Sequence, residues 1–224
     1  MGCPHYTGVL QKLLLIAALI VLYLTKLGGV GFLGPDEPRY ASIGREMARS
    51  GDWVTPRLDG QPWFEKPPLL YWTTGAGNWL GLHDEWAARL PVALIGLGFL
   101  LFFYGTLERE FNSRVALAGT AILGTSAGWA SLSFAAVTDM PMAAMFNGAL
   151  LVALFGPQAL GARSTGGRES RYGAQGYVAG FLLGLAVLAK GFVPVVLIAP
   201  VFLVARGKRL RMIAGCILVA APWY

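Results

Sequence analysis

Four groups of polar residues interrupt a chain that is otherwise strongly apolar: Asp36-Glu37, Glu65-Lys66, Asp139 and Lys190. Carboxylates beside ammonium groups are suited to acid–base chemistry. One carboxylate can take the proton of an acceptor hydroxyl as general base. A lysine such as Lys66, or a bound divalent cation, can offset the charge that builds on a leaving phosphate. Each group also has a plainer reading. Asp36 stands where a helix cap would stand. Glu65-Lys66, before Pro67-Pro68, reads as a surface ion pair of small energetic value. Asp139, at the head of an apolar run, suits the positive end of a helix dipole. It is the hardest to dismiss, because a carboxylate at bilayer depth costs about 2.5–3.5 kcal/mol on insertion scales. Lys190, beside Gly191, is open to pairing with a carboxylate or a phosphate.

These residues need elements to hold them, and the composition says which. The chain has 224 residues, 55% of them hydrophobic and only 13% charged. Soluble domains carry about a quarter charged residues, so an ordinary water-soluble fold is excluded. The 30 glycines fit membrane helices. A net charge of +6 is compatible with nucleic-acid binding, but the basic residues fall between apolar runs and read as topology signals. Cys3 and Cys216 form no framework, and His5 and His83 no metal spacing. Lys12 precedes the apolar run Leu13–Thr25, and no small-x-small cleavage site follows in Lys26–Pro35. An uncleaved anchor is the reading.

A spanning helix needs about 20 apolar residues. The candidates are Val9–Leu27, Leu90–Leu107, Val115–Phe134, Met140–Phe155, Tyr177–Ala189, Phe192–Ala205 and Met212–Tyr224. The fifth and sixth, parted by Lys190-Gly191, are alternatively one broken helix. The expected fold is therefore all-α: a polytopic membrane protein of about seven spans, with residues 1–224 as one transmembrane module. Arg109, Arg114, Arg206, Lys208, Arg209 and Arg211 crowd the short connections on one side. The positive-inside rule makes that side cytoplasmic. All four polar groups then fall outside.

The long outer loop, residues 28–89, carries helical patterns of its own. Asp36 is a candidate cap with Pro38 in the first turn. Tyr40, Ile43 and Met47 recur on one face, opposite Ser42, Arg45 and Arg49, and Gly51 ends the run. A second stretch after Pro67-Pro68 carries Leu69, Trp72, Ala76, Trp79 and Leu80. Both read as amphipathic interfacial helices, with tryptophans at headgroup depth. Arg163–Arg171 reads as a polar cytoplasmic loop.

Taken in order, the motifs resemble a known family. Gly34-Pro35-Asp36-Glu37-Pro38-Arg39-Tyr40-Ala41 is similar to the Asp-Glu-x-Arg-Tyr-Ala signature of lipid-linked-sugar glycosyltransferases of the GT-C fold. The nearest groups are the lipid A aminoarabinose transferases and the protein O-mannosyltransferases. Gly51-Asp52-Trp53 and the run from Trp63 to Trp72 resemble the next block, and Arg89-Leu90-Pro91 its exit. Thr138-Asp139-Met140-Pro141 resembles the second acidic motif, and Lys190-Gly191 the later Lys-Gly turn.

The resemblance implies a polyprenyl-phosphate sugar donor and a lipid A or protein acceptor outside the cytoplasm. It makes Asp36 the base, with Asp139 supporting the catalytic centre. Glu37 joins the catalytic set or orients Arg39 or the loop. Lys66 would contact the donor phosphate; Arg39, Tyr40 and Lys190 would help bind substrate; Glu65 would help hold a divalent metal. Compact loops favour a bacterial inner membrane, with the site facing the periplasm or exterior. The departure is length, since such enzymes continue for several more helices. The chain is expected to be the N-terminal portion of a larger enzyme. A transporter would keep its acids and lysine near the bilayer midplane, and a non-catalytic scaffold would tolerate their neutralisation.

Overall fold

The computed structural model describes residues 4–25, 27–156, 168–204 and 208–224. Helices dominate. The bundle helices are α1 (Pro4–Leu24), α4 (Asp84–Glu110), α5 (Ser113–Thr125), α6 (Ala127–Phe134), α7 (Asp139–Phe155), α8 (Arg168–Lys190), α9 (Val193–Val204) and α10 (Arg209–Ala220). The outer loop contributes α2 (Asp36–Ser50), α3 (Leu69–Trp79) and a small antiparallel ribbon, β1 (Arg57–Leu58) with β2 (Gln61–Pro62). Its tip, Asp59-Gly60, has both residues at positive φ, as a tight two-residue hairpin requires.

Each apolar stretch of the sequence contains a helix. The third is two helices, α5 and α6, bent by 58°. The bend sits at Ser126, whose hydroxyl accepts the Trp129 N–H at 3.4 Å and so starts α6 afresh. The fifth and sixth are also separate. Gly191 turns the chain between them at φ 70°, a conformation that a side chain rarely adopts. Among the described residues, by length and hydropathy alone, one helix, Glu85–Glu110, is able to cross a membrane, and α5–α6 make a second if the bent pair is one span. The other apolar helices are shorter. The Arg163–Arg171 stretch falls partly outside the described residues, as do Cys3 and Arg206; α8 already begins at Arg168.

Side-chain ties show which helix ends lie together. Lys12 of α1 meets Glu108 of α4 at 3.4 Å, over the Tyr104 ring. Lys208 donates to the Ala153 carbonyl near the end of α7 at 3.1 Å. These mark one end of the bundle. The head of α7, the foot of α8 and the outer loop lie at the other.

Among the described residues the two larger of three buried clusters hold the bundle. Leu19, Tyr23, Ile43, Met47, Leu100 and Met140 join α1, α2, α4 and α7, while Val152, Leu183, Ile198 and Met212 join α7 to α10. Many outward-facing residues of α9 and α10 are large and apolar, Val196 and Leu218 among them. A bilayer accepts such a face and water does not.

The face of α2 buried in the structure includes Tyr40, Ile43 and Met47, as the periodicity predicts. Gly51 closes the helix in the left-handed region, its N–H bonded to the Met47 carbonyl at 3.0 Å. Asp36 does not cap it. Pro35 holds the cap position, no side chain bonds there, and Asp36 is the first helical residue. In α3 the small and the bulky apolar residues part company. Leu70, Tyr71, Thr74, Gly75 and Gly77 are buried, whereas Trp79 and Leu80 are 71% and 70% exposed. Close approach decides this. A Cβ on Gly77 would lie 2.2 Å from the Ala87 carbonyl oxygen of α4. The small-residue stripe must face inward, and the larger apolar residues go to the interface, where aromatic rings are well placed.

Candidate functional site

The site forms where the outer loop crosses the far end of the bundle. Helix α2 starts there and presents Asp36 and Arg39 one turn apart. Arg39 reaches Asp36 at 3.5 Å and Glu65 at 3.1 Å, and Lys66 reaches the other Glu65 oxygen at 3.3 Å. The Trp63 ring lies 5.8 Å from the Arg39 guanidinium. Trp53 and Trp72 fix the loop from behind, through a 2.7 Å bond from the Trp72 indole to the Trp53 carbonyl. Asp52 shapes the preceding turn by accepting the Val54 and Thr55 N–H groups. Those bonds, Thr55's foremost, hold its carboxyl below the usual aspartate range.

Asp139, the first residue of α7, pairs with Lys190, the last residue of α8. Of the two partners the sequence left open for Lys190, the structure gives the carboxylate. Tyr40 feels the charges of both ionic groups. Burial pushes its phenol up to about 12, and the negative charges of Asp36, Glu65 and Asp139 push in the same direction. It is almost fully buried against Tyr71, with ring centroids 5.8 Å apart. Tyr40 is therefore the floor of the site rather than a wall open to a ligand.

The exposed members are accessible. Asp36 keeps 53% of its side-chain surface and Asp139 40%. Ion pairs this exposed contribute about 0–1 kcal/mol, so the fold does not depend on them.

Glu37 is the opposite case, and the sequence reading of it as catalytic does not match its surroundings. It is 0% exposed and takes Arg89 in two parallel bonds of 2.7 Å. Its remaining acceptor capacity is filled by the Leu33 N–H at 2.6 Å and the Ala136 N–H at 2.7 Å. Arg89 in turn donates to the carbonyls of Leu27, Val30 and Gly31. Burial alone would raise the Glu37 pKa. The Arg89 bond and the two backbone bonds outweigh it and hold the carboxyl below the ordinary glutamate value. A saturated, buried carboxylate takes no proton from a substrate. Glu37 is a positioning residue, and it holds the loop through Arg89, not through Arg39.

Glu65 lies between two cations. Both of its oxygens face cations, and among the described residues no three His, Cys, Asp or Glu side chains converge. These residues alone do not fit a divalent ion.

The sequence reading missed Arg89 as a central residue, although the signal was present. It is a lone charge flanked by Ala87-Ala88 and Leu90-Pro91, and charges in such runs are rarely idle. It also missed the packing of Trp223 against Phe64 and Trp72, at 6.2 and 6.0 Å between centroids. No local pattern announces that contact.

A mostly helical membrane scaffold with an accessible ionic cluster at one end is the class that fold and site define. The model of the dolichyl-phosphate-mannose-protein mannosyltransferase family matches residues 9–213, and the chain belongs to that family. It is 33% identical over 225 residues to the undecaprenyl phosphate-alpha-4-amino-4-deoxy-L-arabinose arabinosyl transferase of Pectobacterium carotovorum, covering 96% of this chain and 39% of that protein. The enzyme of the same name from Edwardsiella ictaluri is 33% identical over 93% of this chain and 39% of its own length. The crystal structure of ArnT from Cupriavidus metallidurans bound to undecaprenyl phosphate superposes with a TM-score of 0.82 at 29% identity, over 95% of this chain and 40% of that one. Its apo form gives 0.80 at 31% identity, over 98% and 41%. The chain thus spans about two fifths of the length of the relatives it matches.

Proposed function

We propose that this chain is the donor-side part of a membrane glycosyltransferase that moves a sugar from a polyprenyl-phosphate donor to a lipid or protein acceptor on the non-cytoplasmic face of a bacterial inner membrane. The observation that carries this reading is the convergence of Asp36, Arg39, Glu65 and Lys66 with the Asp139–Lys190 pair around Tyr40. The names of the relatives supply the donor class, an undecaprenyl-phosphate aminosugar. The chain's own chemistry fits it. Lys66, Arg39 and Lys190 offer donors and positive charge to a phosphate, each held ready by a carboxylate that a stronger anion can replace. Asp36 accepts the proton of the acceptor hydroxyl as its oxygen bonds to the anomeric carbon. The bond from that carbon to the phosphate oxygen breaks, and polyprenyl phosphate leaves with its charge offset by the same cations. Asp139 keeps Lys190 in place until the phosphate arrives. A divalent ion would need ligands beyond this residue set. Seven spans, with the charged connections inside, is the topology this reading requires.

The test is Asp36→Asn in the complete protein. Sugar transfer from a polyprenyl-phosphate donor should fall about 10²–10⁴-fold, the range for loss of a positioned base, with membrane insertion unchanged. Transfer at the wild-type rate would remove Asp36 from the chemistry.

A further inference from the structure

Two consecutive residues, Trp223 and Tyr224, touch the two segments of chain that carry Lys66 and Lys190. Trp223 lies in the crook of the run from Phe64 to Trp72, its ring centroid 6.2 Å from that of Phe64 and 6.0 Å from that of Trp72. Glu65 and Lys66 stand between those two contacts in the sequence. Tyr224 stacks on Phe192 at 5.0 Å, and its hydroxyl lies over the Gly191 turn, 3.8 Å from where a Cβ would be. Lys190 immediately precedes that turn.

Both sides of this contact are firmly held. Helix α10 packs on α8 almost backbone to backbone. A Cβ on Gly184 would lie 2.9 Å from the Cys216 carbonyl oxygen, and one on Gly215 2.7 Å from that of Tyr177. Approach this close fixes α10 on the helix that ends in Lys190. Beyond Ala220 the chain makes one more turn, closed by the Ala221 and Trp223 N–H groups on the Ile217 and Ala220 carbonyls at 2.9 and 3.1 Å. On the loop side Trp72 meets Trp223 edge to face, with 86° between the ring planes, and is itself tied to the Trp53 carbonyl.

Aromatic residues at the end of a membrane helix are common, and at headgroup level they need no protein partner. Trp223 is instead half-buried against two rings of the outer loop. Such pairs favour particular ring geometries and so carry orientation as well as burial. The ion pairs of Glu65 are too exposed to fix the Lys66 stretch by themselves.

We propose that Trp223 and Tyr224 are positioning residues that set Lys66 and Lys190 at a fixed separation across the donor-phosphate site. Neither meets the donor; each acts through the lysine whose segment it grips. The proposal rests on the phosphate reading of the two lysines, and its test separates the two.

Donor and acceptor kinetics are measured on the complete protein with a polyprenyl-phosphate sugar donor, for Lys66→Ala, Trp223→Ala and the double variant. Trp223→Ala should raise donor KM about fivefold, less than loss of the lysine itself, because a loosened charge keeps part of its contact with phosphate. Acceptor KM should not change, and Trp223→Phe, which keeps a ring in the crook, should bring donor KM back near the wild-type value. In the Lys66→Ala background, Trp223→Ala should add less than about twofold, since groups that act through one another are not additive. Effects that multiply overturn the proposal, because Trp223 would then act apart from Lys66. Wild-type donor KM in Trp223→Ala, with Lys66→Ala impaired, overturns it and leaves the phosphate reading intact. Wild-type donor KM in Lys66→Ala removes the phosphate reading, and the proposal falls with it. Phe64 is 64% exposed, so the fold tolerates its truncation. Phe64→Ala should raise donor KM about threefold through the same lysine, and it decides in the same way if Trp223→Ala does not fold.

Discussion

Asp36 and Glu37 are neighbours in sequence and opposites in surroundings. Asp36 is half exposed and held by one long contact to Arg39, whereas Glu37 is sealed among four donors from three segments of chain. The difference follows from helix geometry. Successive residues point about 100° apart, so the first turn of α2 can send one carboxylate outward and the next into the junction with α4 and the 135–138 link. One carboxylate stays accessible while its neighbour holds the backbone that carries it, which is what the proposed function requires. The exposed ionic cluster is suited to reaction and contributes little to stability. The buried pair is suited to stability and meets no substrate.

The largest test of that contrast is Asp36→Asn, whose loss of transfer should come with a change in thermal stability of no more than about 0.5 kcal/mol. Glu37→Gln should do the reverse at the level of the fold. It leaves Arg89 buried without its counter-charge and should cost about 3–5 kcal/mol, read from unfolding of the full protein in detergent. Activity would then fall with the folded fraction. A Glu37→Gln protein of wild-type stability would break the comparison.

Lys66→Ala and Lys190→Ala come next. Each should raise KM for the polyprenyl-phosphate donor by about tenfold, one charge-assisted contact to phosphate being worth about 1.5–3 kcal/mol, and leave the melting temperature nearly unchanged. Parallel losses of stability in these variants would move them into the structural group.

A pH titration sharpens the same point. The Glu37 pKa is lowered in the folded protein, so its contribution to stability is complete above the ordinary glutamate pKa. It is lost as pH falls through the lower, folded value, because the unfolded state takes up the proton first. Stability of the wild type should decline on acidification, and Glu37→Gln should flatten that part of the curve. The smallest effect expected is that of Trp72→Phe. It removes the bond to the Trp53 carbonyl and should cost about 1 kcal/mol.

The sequence alone determined what depends on local periodicity and on the type of solvent. Its apolar runs required membrane helices, the spacing of Tyr40, Ile43 and Met47 named the inner face of α2, and Gly51 marked its end. The alternation of runs and basic connections also put the four polar groups at one end. Tertiary structure alone decided the rest. Arg89 stands 52 residues from Glu37, and the Ala136 N–H 99 residues away, so no local pattern records their meeting. The sequence named the apolar residues of α3 but not its inner face, because hydrophobicity ranks Trp79 and Leu80 above Gly75 and Gly77. Packing of Gly75 against α2 and of Gly77 against α4 ranks them the other way, since only residues without bulk allow two backbones to touch. Whether a carboxylate is a base or a strut is likewise a property of the groups around it, and those are brought together only by the fold.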